Sequence, residues 1–216
     1  MANSKEFIEN KSQGYLAEDI LEFILNSMEE QGWKFVGYGI EQHTETLKNS
    51  LRQIYSPLSQ KIRSMPDAIA INEKTKEVIL FECKYKSYVE RKHQTEAINL
   101  VEDEYGKVID FDVIDYRTAT YIFDKGIIKR YKQYWPETIL FIVQPYGVCF
   151  FTINISQIKD YMLIEEYEHN NKTLERWDFH EIEIPLTQLI QDIPKEIIEK
   201  AKKKIPCEIR CSENSK

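Results

Sequence analysis

Apolar residues recur with a helical period over residues 15–31 of the chain. On a wheel drawn at ~100° per residue they fill one broad arc, and charged and amide side chains fill the other. Gly32 follows this segment, and glycine commonly ends a helix. Glu18 lies only ~20° from Leu25 on the same wheel. We therefore expect a helix whose Glu18 looks across the edge of the core towards another element.

Alternating and continuous apolar stretches predict strands in the middle of the chain. Residues 33–40 favour one strand, and residues 66–86 favour two strands joined by a turn near residues 73–76. A hairpin is expected around Pro145-Tyr146-Gly147, from strands at 139–144 and 148–153. The remaining expectations are a helical or irregular segment at 46–64 broken at Pro57, helices at 88–104, 155–162 and 186–204 (the last interrupted at Pro194), a strand at 174–184 and an ambiguous stretch at 105–135.

Helices that alternate with strands in this way predict an α/β fold. The chain has 216 residues, of which 42% are hydrophobic, enough to build a substantial core. We expect a single domain over residues 1–216. Its core would span about 11–155, followed by a C-terminal elaboration over about 156–205 and a tail at 206–216.

The longest apolar run, from Ile139 to Val143, is far below the ~18 residues that a membrane span needs. The first residues contain no apolar signal-peptide core. The expectation is a cytoplasmic protein, in the host cell cytoplasm if the chain is viral, with no membrane partner. Cys207 and Cys211 are spaced for either free thiols or a local disulfide, and both readings remain open.

The formal net charge of −7 argues against a protein whose whole surface grips nucleic acid. A local basic segment is compatible with that charge. Residues 47–64 contain four basic residues and no acidic residue, and they run directly into Asp67. Lys61 and Arg63, the two basic residues nearest to Asp67, are candidate nucleic-acid contacts.

An acid and a base stand side by side at the end of a buried strand. With a period of two, Glu82, Lys84 and Lys86 continue the face of Val78 and Leu80. Buried Glu and Lys are rare unless they are paired or liganded. This arrangement therefore calls for a chemical explanation.

The preceding strand supplies a second carboxylate. If Asn72 pairs with Glu77, Asp67 faces Glu82, with Cβ atoms ~5 Å apart. Two carboxylates this close repel each other unless a cation lies between them. Oxygen ligands of this kind suit Mg²⁺ or Mn²⁺, and the carbonyl of Cys83 is a candidate further ligand.

Such a centre predicts phosphodiester hydrolysis. A metal on Asp67 and Glu82 would polarise a phosphate oxygen and help to ionise water. Lys84 would orient that water and stabilise developing charge, or act as a base if burial lowered its pKa. Glu18 would hold a metal-bound water or a second metal. Lys86 is a candidate phosphate contact or a surface lysine.

The Pro66-Asp67 pair, followed by Glu82-Cys83-Lys84 on a hydrophobic strand, resembles the signature of the PD-(D/E)xK nucleases. Gly14-Tyr15-Leu16-Ala17-Glu18 followed by Gly32-Trp33 resembles the first helix of archaeal Holliday-junction resolvases, and the tyrosine- and isoleucine-rich composition is similar to that of crenarchaeal spindle-shaped-virus members. The resemblance implies a restriction-endonuclease-like fold, with Asp67 and Glu82 as metal ligands, Lys84 as the catalytic lysine and Glu18 as the helical acid.

It also implies a Mg²⁺-dependent endonuclease that acts on duplex or branched DNA as a homodimer. The alternatives are a nuclease fold that binds nucleic acid or a partner without cleavage, and a small-molecule phosphohydrolase. The second alternative would be supported by a phosphate-cradling glycine-rich loop, and the sequence contains none.

Overall fold

The computed structural model describes residues 4–39, 49–51, 53–86, 90–102, 108–145 and 147–206 of the chain. A mixed six-stranded sheet lies at the centre of the fold. The strands are β1 (Trp33–Gly37), β2 (Ala68–Asn72), β3 (Glu77–Tyr85), β4 (Glu90–Glu102), β5 (Val108–Asp124), β6 (Thr138–Val143), β7 (Phe150–Asn154), β8 (Leu163–His169), β9 (Lys172–Asp178) and β10 (Ile184–Pro185). The helices are α1 (Ser4–Asn26), α2 (Pro57–Arg63), α3 (Ile127–Tyr134), α4 (Leu186–Leu189) and α5 (Lys195–Lys203).

The central sheet has the strand order β1-β2-β3-β6-β7-β10. Strands β3 and β6 are parallel, and the other neighbours in this sheet are antiparallel. A second, antiparallel sheet has the order β4-β5-β9-β8. The predicted α/β class with a mixed central sheet and flanking helices is therefore confirmed.

The register between β2 and β3 is the one that the sequence pattern requires. Asn72 pairs with Glu77, and Ile69 pairs with Leu80. Oδ1 of Asn72 accepts hydrogen bonds from the backbone N–H groups of Lys74 (2.9 Å) and Thr75 (3.1 Å), which closes the turn between the strands. This short turn fixes the register, and with it the faces to which the β3 side chains point.

Each face of the central sheet is covered by different elements. Helix α1 contributes its apolar arc to one core, which also includes Phe81 and Cys83 of β3. The opposite core combines Leu140 and Ile142 of β6 with α3 and the second sheet. Since Glu82 and Lys84 alternate with Phe81 and Cys83, they lie on the sheet face that looks towards α3.

Several predicted elements differ from the structure. Residues 88–104, expected to be helical, contribute strand β4, which pairs with β5 along its length. Their residue types allow a helix, but pairing with β5 satisfies the backbone instead, because tertiary context overrides local propensity. Strand β8 was not expected, and the helical expectation at 155–162 is met only by short 3-10 turns.

Other predictions are confirmed. The hairpin of β6 and β7 and the break at Pro194 appear as expected. The first helix is present, but it spans Ser4–Asn26 instead of the expected 15–31, and a separate 3-10 turn at Glu29–Gln31 precedes Gly32. Helix α2 begins at Pro57, where Oγ of Ser56 accepts from the backbone N–H of Ser59 (3.1 Å) and caps the first turn. None of the helices in the described segments is long and apolar enough to cross a membrane. Cys207 and Cys211 lie outside the described residues.

Candidate functional site

Asp67 is held from two sides at the start of β2. Its Oδ2 accepts a 2.8 Å hydrogen bond from the backbone N–H of Cys83. Its carbonyl oxygen accepts from the N–H groups of Tyr38 (2.9 Å) and Gly39 (3.0 Å). A Cβ at Gly39 would lie only 3.2 Å from Cα of Asp67, so the absence of a side chain at position 39 permits this close approach.

Lys84 brings the two predicted carboxylates to one point. Its Nζ lies 3.8 Å from Oδ2 of Asp67 and donates a hydrogen bond to Oε1 of Glu82. Burial alone would lower the pKa of Lys84, but the charges of Glu82 and Asp67 outweigh burial and raise it above its ordinary value. In this arrangement Lys84 keeps its proton at neutral pH, which argues against the base role and for the electrostatic role.

Glu82 is the most deeply buried member of this group, with 5% of its surface exposed. Burial, helped by the charge of Asp67 and opposed by Lys84, raises the pKa of Glu82 to about 7. Its Oε2 atom is buried and has no hydrogen-bond partner within the described residues. A buried carboxylate oxygen without a partner is costly, and a cation would satisfy it.

Tyr131 of α3 approaches the same carboxylate, and sequence reasoning missed it. Its hydroxyl lowers the pKa of Glu82, while burial and the charges of Glu82 and Asp67 raise the pKa of Tyr131 well above its ordinary value. Even with this contact, Oε2 of Glu82 has no hydrogen-bond partner within the described residues. Nothing in the ambiguous stretch 105–135 distinguished this tyrosine from its neighbours, so only the packing of α3 on the sheet reveals it.

Glu18 adds a third acidic group from α1. Burial raises the pKa of Glu18 to about 7, with further contributions from Asp67 and Glu82 and an opposing one from Lys84. Glu18 is thus electrostatically coupled to all three predicted centre residues, but within the described residues no hydrogen bond or ion pair joins it to them. Cys83 itself is buried, and burial raises the pKa of its thiol well above the ordinary value. Its carbonyl remains a predicted ligand.

The three predicted nucleic-acid contacts lie in different surroundings. Nζ of Lys86 donates to the carbonyl of Ile122 and lies 4.1 Å from the ring centroid of Phe123. Burial and the charge of Lys84 lower the pKa of Lys86 to about 7. Lys86 and Lys84 line one pocket of about 390 Å³, so Lys86 lies beside the centre but inside the protein.

The other two predicted contacts lie on α2. The ammonium of Lys61 lies 5.2 Å from the ring centroid of Trp135, so it is engaged with an aromatic ring. Arg63 lines a different pocket, together with Arg130 of α3, which sequence reasoning also missed. Gln144, a strand-end residue, is buried, and its Nε2 donates a 2.7 Å bond to the carbonyl of Val148, which indicates a structural role in the hairpin.

The donor set fits a hard cation in part. Asp67 and Glu82 provide carboxylate oxygens, and Oε2 of Glu82 is buried without a partner. No group of three or more His, Cys, Asp or Glu side chains is preassembled as a metal site in the described part of the chain. The Lys84 ammonium contacts both carboxylates, so a metal would compete with Lys84 for them.

Comparison with protein-family models, with curated proteins and with solved structures gave no match for this chain. The site geometry and the fold therefore carry the functional argument.

Proposed function

We propose that this chain is a metal-dependent nuclease of the PD-(D/E)xK type that hydrolyses phosphodiester bonds of DNA. The observation that carries the proposal is the convergence of Asp67 and Glu82 on the Lys84 ammonium, with a buried oxygen of Glu82 left without a partner. Glu82 and Lys84 near the end of β3, with Asp67 beside them, are costly to bury together, and perturbed ionisable groups of this kind are characteristic of functional sites. The mixed sheet flanked by helices is compatible with a restriction-endonuclease-like fold.

The residues of the centre have separate roles in the proposed hydrolysis. Asp67 and Glu82 would hold Mg²⁺ or Mn²⁺, with Glu18 and the Cys83 carbonyl as further donors, and the bound ion would supply Lewis-acid stabilisation of the phosphodiester. The charged Lys84 would stabilise negative charge that builds on the phosphate oxygens. The Cys83 N–H orients the Asp67 carboxylate through a hydrogen bond to its Oδ2.

The direct test uses labelled linear, nicked and four-way DNA, and RNA of the same sequence, incubated with Mg²⁺, Mn²⁺, Ca²⁺ or EDTA. We expect cleavage with Mg²⁺ or Mn²⁺ and none with EDTA. Ca²⁺ should fail to support cleavage, because its larger and looser coordination misplaces the reacting groups. Lys84→Met should abolish turnover but retain Mn²⁺ binding, and the matched variant Lys200→Met on the exposed face of α5 should behave like wild type. Cleavage by Lys84→Met at the wild-type rate would reject the proposal.

The second candidate is a protein that binds nucleic acid or another partner without cleaving it. It is favoured by the engagement of Asp67 by Cys83 and of Glu82 by Lys84, which leaves no preassembled metal site among the described side chains. A calorimetric titration with Mn²⁺ separates the two functions. Saturable binding that Asp67→Asn weakens supports the nuclease, and absence of binding supports the second candidate.

Cleavage of both strands of a duplex would require two active sites. A two-fold dimer is the simplest way to supply them, since isologous pairs dominate among oligomers. We therefore propose a homodimer for action on duplex or branched DNA. Light scattering at micromolar protein, with and without DNA, tests this: a monomer under both conditions would restrict the enzyme to nicking or to single strands.

A further inference from the structure

Helices α2 and α3 form the two walls of a pocket of about 360 Å³. The walls are tied together by two hydrogen bonds: the hydroxyl of Tyr134 donates to Oε1 of Gln60 (3.2 Å), and Nε1 of Trp135 donates to the carbonyl of Lys61 (3.1 Å). The pocket is therefore a built feature of the fold. Its volume is near the lower end of the ~300–1,000 Å³ that small-ligand sites occupy.

Both walls contain residues that are close in the sequence to the acidic centre. Arg63 ends α2, and the chain then passes through Met65 and Pro66 to Asp67. Arg130 precedes Tyr131, whose hydroxyl faces Glu82. Short stretches of main chain therefore connect both sides of the pocket to the acidic centre.

The lining has the chemistry of a phosphate site. Among the residues that the structure describes, it consists of Tyr55, Gln60, Arg63, Ser64 and Arg130, none of which is acidic. Within the described residues, neither Arg63 nor Arg130 forms an ion pair or a side-chain hydrogen bond. Two guanidinium groups without partners present forked donors that match the oxygens of a phosphodiester. In a chain of net charge −7, this is a local site of opposite sign to the whole.

The exposure of Tyr55 favours an unpaired over a paired nucleic acid as the ligand of this pocket. Its side chain is 86% exposed at the pocket, although tyrosine normally buries most of its ring. Bases in a duplex are stacked on both faces and offer no free face to a protein ring. An unpaired base has such a face, and stacking on an exposed aromatic residue is the usual way in which proteins bind single strands.

We propose that this pocket binds an unpaired nucleotide of the substrate strand, with its phosphate on Arg63 and Arg130 and its base stacked on Tyr55. This inference rests on the proposed nuclease function and narrows its substrate class. The preferred substrates are strands with unpaired nucleotides next to the cleavage point, such as single strands, flaps and branched junctions with open arms. Fully paired linear duplex is a poorer substrate.

The test measures binding in EDTA, so that it does not depend on cleavage. Fluorescence anisotropy would compare a labelled oligodeoxythymidine, an oligouridine of the same length and a fully paired duplex of that length. We expect the wild-type protein to bind one or both single strands more tightly than the duplex, and the two single-stranded probes distinguish DNA from RNA as the source of the nucleotide. Equal or tighter binding of the duplex would overturn the inference.

The variants locate that binding in the pocket. Tyr55→Ala should weaken single-strand binding by roughly tenfold, and Tyr55→Phe should retain it, because the ring and not the hydroxyl stacks on the base. Arg63→Gln and Arg130→Gln should each reduce the steepness of the salt dependence by roughly 0.7, the contribution of one phosphate of a single strand. Lys200→Gln on α5 removes the same charge outside the pocket and should leave binding close to wild type.

Failure of this inference and failure of the proposed function give different results. Metal-dependent cleavage that Tyr55→Ala leaves unchanged on every substrate would keep the nuclease and remove the pocket. Single-strand binding that depends on the pocket, without cleavage in the presence of any metal, would support the nucleotide pocket and reject the nuclease function. Ile54 and Leu58, which are close to Tyr55 in the sequence, are also exposed, so the oligomeric state of Tyr55→Ala is measured by light scattering as well. A change in oligomeric state would assign the surface around Tyr55 to a second copy of the chain and overturn the inference.

Discussion

The backbone N–H of Cys83 donates a 2.8 Å hydrogen bond to Oδ2 of Asp67. The main chain of β3 therefore orients the carboxylate that precedes β2, whatever side chain stands at position 83. The same strand carries Glu82 and Lys84 immediately before and after this N–H. The spacing of the three groups is thus set by one short piece of backbone.

Variants of Asp67 should separate charge from this hydrogen bond. Asp67→Asn keeps an acceptor oxygen for the Cys83 N–H but removes the negative charge. We therefore expect the metal affinity to fall by roughly tenfold or more, while the melting temperature changes little. Asp67→Ala also leaves the Cys83 N–H without its partner, at a cost of roughly 1–3 kcal/mol. Calorimetric Mn²⁺ titration and thermal melts check both variants, and identical melting temperatures for the two would show that the hydrogen bond contributes no stability.

Glu18 should make stability depend on pH. Its pKa is about 7 in the folded chain, above its ordinary value of 4.5, so the folded state binds more protons than the unfolded state between these values. Stability contributed by this group therefore falls as pH rises through that window, and the loss is complete above pH 7. Without metal, Glu18→Gln should melt higher than wild type at alkaline pH, by a few degrees, and the difference should disappear at pH values below the ordinary Glu pKa.

Bound metal should reverse the order of the melting temperatures of wild type and Glu18→Gln. If Glu18 helps to hold a cation, saturating Mn²⁺ stabilises the wild-type chain more than Glu18→Gln, because a ligand stabilises the state that binds it. Thermal melts of both proteins with and without Mn²⁺ provide the comparison. An unchanged order in Mn²⁺ would remove Glu18 from the metal site and leave it as an acidic neighbour.

Gly39→Ala should disturb the centre without altering any polar group. The new Cβ would lie 3.2 Å from Cα of Asp67 and 3.5 Å from its Oδ1. The backbone of Asp67 must then move by a few tenths of an ångström, and site geometry tolerates little displacement. We expect cleavage to fall by roughly tenfold or more, while the chain remains folded by circular dichroism. Gly147→Ala, at a position with open space around it but a φ of +65°, controls for the loss of glycine as such.

Tyr131→Phe should change the pH profile more than the fold. The Tyr131 hydroxyl lowers the pKa of Glu82, so its removal should raise that pKa further. If ionised Glu82 is needed for metal binding, the acid limb of the activity profile should move to higher pH, and activity at alkaline pH should be largely retained. An acid limb at the same pH in both proteins would show that Tyr131 does not influence Glu82 in the working enzyme.

The sequence by itself determined the centre of the molecule. A short turn joins β2 to β3, and a period of two then fixes which side chains share a face, so Asp67, Glu82 and Lys84 had to converge once the turn was placed. The amphipathic arc of α1 likewise determined that Glu18 would stand at the edge of the core. These relationships are local in the chain, and local spacing is what a sequence pattern records.

Only the tertiary structure decided what surrounds that centre. Residues 88–104 have the composition of a helix, but the part of them that the structure describes, Glu90–Glu102, forms β4, because β5 provides a long backbone partner. Tyr131 approaches Glu82 because α3 packs across the sheet, and Arg130 shares a pocket with Arg63 because α3 also packs against α2. Lys86 could have projected into solvent, but it lies over Phe123 of the second sheet. Each of these contacts joins segments far apart in sequence, where the free energy of packing, and not the periodicity of either segment, selects the partner.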